Sequence, residues 1–517
     1  MRRDEMLARL REGVEWDLVV VGGGATGLGT AVDAATRGYR VALLEARDFA
    51  QGTSSRSTKL IHGGVRYLQQ GNISLVLEAL RERAILQRNA PHLVHELSFV
   101  VPNYEWWEAP FYGIGLQLYD LLAGRHNLGR SKHLSRDETL ARIPNVETEG
   151  LRGGVIYHDG QFDDARLAIH LAMTAADQGA VVLNYAEVVA LRKDHAAIRG
   201  VLFRDVETGE ELALRAKAVV NATGPYADAI RRMDEERAAP MLAPSQGAHI
   251  VLDAAFLPGD SAIMVPHTDD GRVFFAIPWH GRVVVGTTDT PVETVELEPR
   301  PLSTEIDFLL GHVARYLEKD PTREDILSAF AGLRPLVRTR ARRVGAALAR
   351  DHAIRVSRGG LITVAGGKWT TYRKMAEDVV DRAAERAGLP PRPSRTETLK
   401  LHGWATYANA PLSAYGADAP ELKRMLGENA EWRRRVHARL ETTVGEIIWG
   451  ARYEMARTVE DVLSRRTRAL LLDARASVEA APRVARVLAE ELGRDEAWQR
   501  AQVEGFAALA RGYLVGG

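Results

Sequence analysis

The sequence predicts an α/β chain built from three units: a Rossmann-like dinucleotide-binding domain, an antiparallel-sheet domain and a C-terminal all-helical domain. Three observations predict it. An apolar run near the start enters a glycine turn that opens into Ala/Thr/Val helix sequence; short strand-like segments with Gly turns crowd residues 247–290; past Pro390, Pro391 and Pro393 the composition becomes rich in Arg, Glu, Ala and Leu. At 517 residues the chain exceeds what one hydrophobic core usually covers, so two or three domains are expected.

The first unit begins at Trp16-Asp-Leu-Val-Val-Val-Gly-Gly-Gly-Ala-Thr-Gly-Leu-Gly29. Gly22, Gly24 and Gly27 satisfy G-x-G-x-x-G: the first allows a tight turn, the second lets a pyrophosphate approach the backbone, the third lets helix pack on strand. The phosphates would sit over Ala25 and Thr26 at the helix N-terminus. A second strand, Arg40-Val-Ala-Leu-Leu-Glu45, ends in an acid about twenty residues on, placed for a ribose hydroxyl. Two distant segments favour FAD over NAD, because an extended FAD is touched again by later pieces of chain. Lys217-Ala-Val-Val-Asn-Ala-Thr-Gly224 is a buried-type strand ending in a small-residue turn. Gly360-Leu-Ile-Thr-Val-Ala-Gly-Gly-Lys-Trp-Thr-Thr-Tyr372 is a strand into a Gly-Gly turn, followed by helical sequence whose N-terminus would stabilise negative charge near flavin N1 and O2.

Strands are expected at Ala248–Leu252, Val273–Ile277 and Val283–Gly286, and a helix over Ile73–Arg88 with Leu75, Leu77, Leu80, Ala84 and Ile85 as its core stripe. Domain bounds follow: 14–80, 150–235 and 345–390 for the discontinuous cofactor domain; 81–149 and 236–344 for the substrate domain; 391–517 for the helical one. Lys+Arg and Asp+Glu both total 68, so net charge gives no sign of nucleic acid as a partner. Cysteine is absent, which removes disulfides, thiol nucleophiles, thiolate metal sites and Cys-linked flavin, and fits an intracellular chain. No residue cluster reads as a metal site. Residues 1–13 mix Arg with acids and lack the apolar core of a signal peptide; no run of about twenty apolar residues is long enough to span a bilayer.

The sequence resembles the FAD-dependent glycerol-3-phosphate dehydrogenases that pass electrons to quinone, within the glycine/D-amino acid oxidase superfamily. The motifs that carry the resemblance are Gly22–Gly29, Thr53-Ser-Ser-Arg-Ser-Thr-Lys-Leu-Ile-His-Gly-Gly-Val-Arg-Tyr-Leu68, Asp163-Asp-Ala-Arg-Leu167, Asn221-Ala-Thr-Gly-Pro225, Gly286-Thr-Thr-Asp289, Gly332-Leu-Arg-Pro-Leu336, Gly366-Gly-Lys-Trp-Thr-Thr-Tyr-Arg373 and the tail Glu454–Arg468. The Arg-rich stretch after Pro335 departs from the pattern, being acidic in some relatives. The resemblance implies a Rossmann-like FAD-binding domain with an antiparallel-sheet substrate domain. It makes FAD contacts of Thr53, Ser54, Ser55, Lys59, Leu60, His62, Gly63, Val188 (to adenine), Ala222, Thr223, Gly224, Gly367, Lys368, Thr370 and Thr371, alongside Gly22, Gly24, Ala25, Thr26, Gly27 and Glu45.

Oxidising a phosphorylated secondary alcohol needs a phosphate clamp, a base near the hydroxyl and a C–H aimed at flavin N5. Arg66, Arg334, Arg350 and Lys368, from separate segments, suit a dianion, with Tyr67 as an added donor. His249 and His62 are candidate bases, and Arg334 or Lys368 are alternatives that stabilise an alkoxide. The expected reaction is sn-glycerol 3-phosphate to dihydroxyacetone phosphate, with electrons passed to a membrane quinone. Rivals are an oxidase using dioxygen, an amine or amino acid oxidase, and a flavin-binding scaffold. The resemblance further implies a cytoplasmic protein, peripherally attached to the inner face of the cell membrane, and a homodimer. The segment best suited to an anionic lipid surface is Trp106–Leu122, followed by Arg125, His126, Arg130 and Lys132; its bland alternative is a core helix. A second basic run comprises Arg334, Arg338, Arg340, Arg342, Arg343, Arg350, Arg355 and Arg358.

Overall fold

A computed structural model describes residues 1–64, 72–266, 268, 271–338, 352–406 and 412–515. Among them the first sheet runs Ala353–Val356, Ile362–Ala365, Glu211–Asn221, Glu15–Val21, Val41–Leu44, Val181–Leu183. All neighbours on this path are parallel except the first pair. Strands Ala186–Asp194 and Ala197–Asp205 extend it antiparallel from Glu211–Asn221. Helix Ala25–Thr36 is buried from Gly27 onward, sandwiched between the sheet and helices Asp164–Asp177 and Tyr372–Ala387, which is why its residues are mostly small or apolar, with the buried Asp33 paired to Arg37. The pattern of a parallel sheet covered by helices answers the predicted Rossmann-like unit.

The second sheet runs Thr290–Pro291, Ser245–Asp253, Arg282–Gly286, Phe274–Trp279, Ser261–Val265, Val94–Asn103, Gly153–Phe162, Leu60–Ile61; Ser328–Arg334 pairs on Ser245–Asp253 and Lys132–Ser135 on Gly153–Phe162. Its pairs are antiparallel, apart from the parallel pair Ser261–Val265 with Val94–Asn103. Two segments sit differently from the domain bounds drawn on sequence. Gly153–Phe162 and Leu60–Ile61, both placed with the cofactor domain, pair in this second sheet, because the ten-residue ladder to Val94–Asn103 holds Gly153–Phe162 there.

The tail from Ala419 onward is helical, as expected, but shares its core: Leu422, Ile447, Val462, Leu463 and Leu470 are packed in one cluster with Phe99, Tyr157, Met264, Ile277 and Phe330 of the second sheet. The helix over Ile73–Asn89 forms, N-capped by the Asn72 side chain on Leu75 N. Its buried stripe corrects the sequence expectation. Leu80 and Ile85 are buried, yet Leu77 is 45% exposed, and Val76, Ala79 and Arg83 face inward instead. The apolar residues of this helix cover more than one face, so spacing alone chose the wrong edge.

Candidate active site

The nucleotide turn is packed so closely that side chains are excluded from it. A Cβ on Gly22, whose φ is +110°, would lie 2.7 Å from Ala222 O, and one on Gly27 would lie 1.9 Å from Gly22 O. Glu45 is tied into the same turn: its Oε2 accepts from Gly23 N at 2.5 Å and its Oε1 from Arg47 N at 2.9 Å. Burial pushes this carboxyl up, and the two N–H donors oppose that. Val188 is buried in strand Ala186–Asp194; Ala222 N donates to Val21 O, and Thr223 N and Oγ1 both donate to Asn221 Oδ1.

Segment 53–59 is the hub of the site. Ser54 Oγ accepts from Ala25 N at the helix start (2.9 Å), and Ser54 O accepts from Trp369 Nε1 (3.0 Å). Thr53 Oγ1 donates to Leu333 O (2.6 Å), and Thr58 Oγ1 lies 2.9 Å from His249 Nε2. This segment therefore joins the nucleotide turn, the Gly-Gly turn and strands Ser245–Asp253 and Ser328–Arg334 of the second sheet.

The cavity it borders measures about 320 Å³, within the range of small-molecule sites. Of the predicted residues, Thr53, Leu60, His62, His249, Arg334, Gly367, Lys368 and Thr370 line it. Ser54, Ser55 and Gly63 stand behind that wall, Thr371 begins the helix beyond it, and Arg66, Tyr67 and Arg350 lie outside the described residues, as do Arg340, Arg342 and Arg343. Lys59, read as a cofactor donor, is turned away from the cavity. Its fully buried ammonium is held by Asp164 Oδ2 at 2.7 Å and Ser55 O at 2.8 Å, and burial lowers it to about 8.

His249 sits on Ser245–Asp253 opposite Gly286 and Phe330, stacked on the Phe330 ring at 4.8 Å. Glycine at 286 is needed, since a Cβ there would fall 2.2 Å from the imidazole. Burial first, then Lys59 and Arg334, drive the His249 pKa well below its ordinary value, so the ring is neutral. Its Nδ1 has no hydrogen-bond partner among the described residues. Arg334, at the end of the neighbouring strand, donates to Asp289 Oδ1 (3.0 Å), Thr287 Oγ1 (3.2 Å) and Thr288 O (2.9 Å). Gly247 leaves it room, as a Cβ there would meet the guanidinium at 2.4 Å. His62 is held through its backbone by Thr370 Oγ1 (3.3 and 3.4 Å), which fits a residue that shapes the flavin-side wall.

Several wall residues were missed on sequence. Arg56, Ser57, Thr58 and Asp289 lie inside motifs already quoted, and their neighbours drew the attention. Tyr157, Asp159 and Arg272 carry no local signal at all. Asp159 is held by Arg83 (2.7 Å) and Tyr119 (2.9 Å), both buried and distant in sequence.

Bare turn backbone, a helix N-terminus and a Ser/Thr segment against it suit a dinucleotide, and a helix-opening Gly-Gly turn beside the cavity suits its flavin end. Residues 17–373 match the family model for FAD dependent oxidoreductases, and residues 361–499 that for the C-terminal domain of alpha-glycerophosphate oxidase. The chain is 41% identical over 539 residues to the mitochondrial glycerol-3-phosphate dehydrogenase of Homo sapiens, spanning 97% of this chain and 74% of that one. It is 41% identical over 536 residues to glycerol-3-phosphate dehydrogenase SDP6, mitochondrial, of Arabidopsis thaliana, spanning 94% and 85%. The crystal structure of the glycerol-3-phosphate dehydrogenase from Bacillus halodurans complexed with FAD is similar over 99% of this chain and 97% of that one, with a TM-score of 0.81 and 30% identity. Glycine oxidase from Geobacillus kaustophilus, at 20% identity and a TM-score of 0.54 over 75% of this chain, shares the fold alone. Two-domain motif coverage and near full-length similarity lead to one conclusion: the chain belongs to the FAD-dependent glycerol-3-phosphate dehydrogenase family.

Proposed function

We propose that this chain oxidises sn-glycerol 3-phosphate to dihydroxyacetone phosphate, with FAD as hydride acceptor and a membrane quinone as the final electron acceptor. The observation that carries the reading is one cavity wall on which a neutral buried histidine, His249, is joined by Arg334, Lys368 and Arg56. FAD, when bound, supplies the two-electron sink. The protein's residues do the rest. Arg334 and Lys368 receive the phosphate dianion, and Arg334 is preset for that by the acceptors Gln246 O, Asp289, Thr287 and Thr288. His249 takes the hydroxyl proton as the C–H bond breaks, leaving a ketone. An imidazolium beside Lys59 and Arg334 is unfavourable, so the base works once the dianion has offset those charges. The substrate thus raises the proton affinity of its own base.

The quinone and a peripheral membrane position are supported by the helix Glu108–Ala123 and the Trp pair before it. Tyr112, Leu116 and Tyr119 are buried on one face, while Trp107, Phe111, Ile114, Leu118 and Leu121 form an exposed apolar stripe, Leu121 at 76%. Ile73 and Leu77, on the adjoining helix, add to it. Exposed Arg125, Arg130 and Lys132 follow, a pairing of apolar stripe and basic rim suited to an anionic bilayer surface. Among the described residues no helix is long and apolar enough to cross a membrane, so this surface would lie on the bilayer.

The test is anaerobic mixing of the FAD-loaded protein with glycerol 3-phosphate while flavin absorbance is followed, with glycerol and a D-amino acid as controls. Bleaching by the phosphate ester alone is expected; bleaching only by the amino acid, or none, overturns the reading. Reoxidation by a soluble quinone without peroxide separates the dehydrogenase from an oxidase. Stoichiometric peroxide in air would reverse that part.

A further inference from the structure

Beneath segment 53–59, on the side away from the cavity, lie four charges, Lys59, Asp163, Asp164 and Arg468, each with a fully buried or nearly fully buried side chain, and the half-exposed His280 reaches Asp163 Oδ2 from the surface at 3.2 Å. Asp164 is its centre. One carboxylate oxygen accepts from Ser57 N (3.0 Å), Ser57 Oγ (2.7 Å) and Lys59 Nζ (2.7 Å), the other from Ala165 N (2.9 Å) and Arg468 (2.8 Å). Lys59 and Arg468 meet again on Ser55 O, both at 2.8 Å. Asp163 caps its helix through Arg166 N (3.1 Å) and stands 3.4 Å from Arg468 Nε.

Two features mark this as more than packing. Lys59 (φ 64°) and Arg468 (φ 63°) both hold the left-handed backbone region, which disfavours side chains and persists only where surroundings over-determine it. Arg468 comes from the helical tail, directly after the π-helical stretch Asp461–Arg466, so a distant unit reaches in to hold a cavity-lining segment. A second tie has the same origin: Tyr513 Oη donates to Glu298 Oε2 (3.2 Å), and Glu298 pairs with Arg56.

We propose that Arg468 is a positioning residue, through which the helical tail fixes segment 53–59 and so sets the distance from Thr58 to His249. The chain of contacts is continuous: Arg468 to Asp164 and Ser55 O, Asp164 to Ser57 and Lys59, Thr58 to the imidazole. Losing the guanidinium leaves Asp164 with Lys59 as its one cationic partner and Asp163 with His280, and of the two bridges from Ser55 O to Asp164 only that of Lys59 remains. The effect falls chiefly on proton transfer, since the Arg334 guanidinium is held by Asp289, Thr287 and Thr288, none of which belongs to segment 53–59. This inference rests on the reaction proposed above.

Stopped-flow reduction by glycerol 3-phosphate, normalised to bound flavin, is compared for the unmutated protein, Arg468→Gln and Arg468→Lys, together with hydrogen exchange of the 53–59 amides. In Arg468→Gln the limiting reduction rate should fall about tenfold to a hundredfold, the cost of a displacement of about 1 Å, while the substrate concentration for half-maximal rate changes less than about threefold. Arg468→Lys, with one charge but no fork to bridge both acceptors, should fall in between. Exchange at Ser57 and Lys59 should accelerate. A flavin-loaded Arg468→Gln that reduces at the unmutated rate, whatever its thermal midpoint, reduces the residue to a structural role and overturns the proposal. Should that variant not fold, an unchanged limiting rate in Arg468→Lys overturns it equally. If the unmutated protein is not reduced by the phosphate ester, the reaction reading fails by itself. Exchange then decides the positioning claim, and unaltered 53–59 amides defeat it.

Discussion

The arginines around Gly332–Leu336 and those at 465–468 look alike in sequence and behave oppositely in the fold. Arg334 is about a third exposed at a cavity wall, and Arg338 donates to the Leu242 carbonyl at the chain's surface. Arg465, Arg466 and Arg468 are buried almost completely. Arg466 forks onto both oxygens of Asp48 (2.7 and 2.9 Å), and Arg465 joins Asp48, Glu460 and Asp461. The two neighbouring guanidiniums hold Asp48 well below the ordinary carboxylate range despite its burial. Both sets are paired with carboxylates, Arg334 with Asp289; what separates them is burial, which leaves Arg334 at a cavity wall and locks Arg465, Arg466 and Arg468 inside the fold. Two of the buried set's carboxylates, Asp48 and Asp164, come from far earlier in the chain, while Glu460 and Asp461 belong to the same segment.

The sharpest break of that comparison is Arg466→Ala, which leaves Asp48 in the interior with Arg465 and the Asn184 amide alone. It should cost about 3–5 kcal/mol of stability, read from urea unfolding; a cost below about 1 kcal/mol would make the pair as slack as a surface contact. Arg334→Ala is the opposite case, with the thermal midpoint hardly moved. It should remove about 2–4 kcal/mol of transition-state stabilisation, measured as kcat/KM for glycerol 3-phosphate reduction of the flavin.

A third contact lies between these extremes. His402 is clasped by Asp177 (2.6 Å) and Asp418 (2.9 Å), which raise it to about 9 against the opposing effect of burial. A raised folded value stabilises fully below the unfolded value near 6.5 and is lost as pH rises through 9. Asp418→Asn should accordingly cost about 1 kcal/mol at pH 7 and almost nothing at pH 10. Equal losses at both would show that charge is not what it contributes. The smallest change in stability, within about 0.5 kcal/mol, belongs to Ile114→Glu with Leu118→Glu on the exposed stripe. Sedimentation with vesicles containing anionic lipid should nonetheless drop sharply, and unchanged sedimentation would remove this helix from the membrane surface.

What could be read beforehand divides along the same line. Gly22, Gly24 and Gly27 were legible because the turn's demands are local, set by backbone crowding within a few residues and one neighbouring strand. The strands around His249 were legible as short apolar runs separated by Gly turns, and Arg334 and Lys368 from their motifs. Lys59 was not: its motif marks it as a cofactor donor, and only the long-range arrival of Asp164 and Arg468 shows its ammonium facing inward. Leu77 escaped for a different reason. Apolar spacing reveals a helix, but it does not say which of two apolar faces a neighbour will cover.

Strand Ser328–Arg334 carries Arg334, yet Ala329 N donates to Tyr513 O, and Val515 is buried in the cluster behind the same sheet. Residues made long after this strand thus complete its support. During synthesis the nucleotide turn can close early, while the wall bearing Arg334 must wait for the tail to clear the ribosome. A nascent chain stalled before Tyr513 would be expected to hold the cofactor sooner than it acquires a finished substrate pocket, so that catalytic competence is the last property the polypeptide gains.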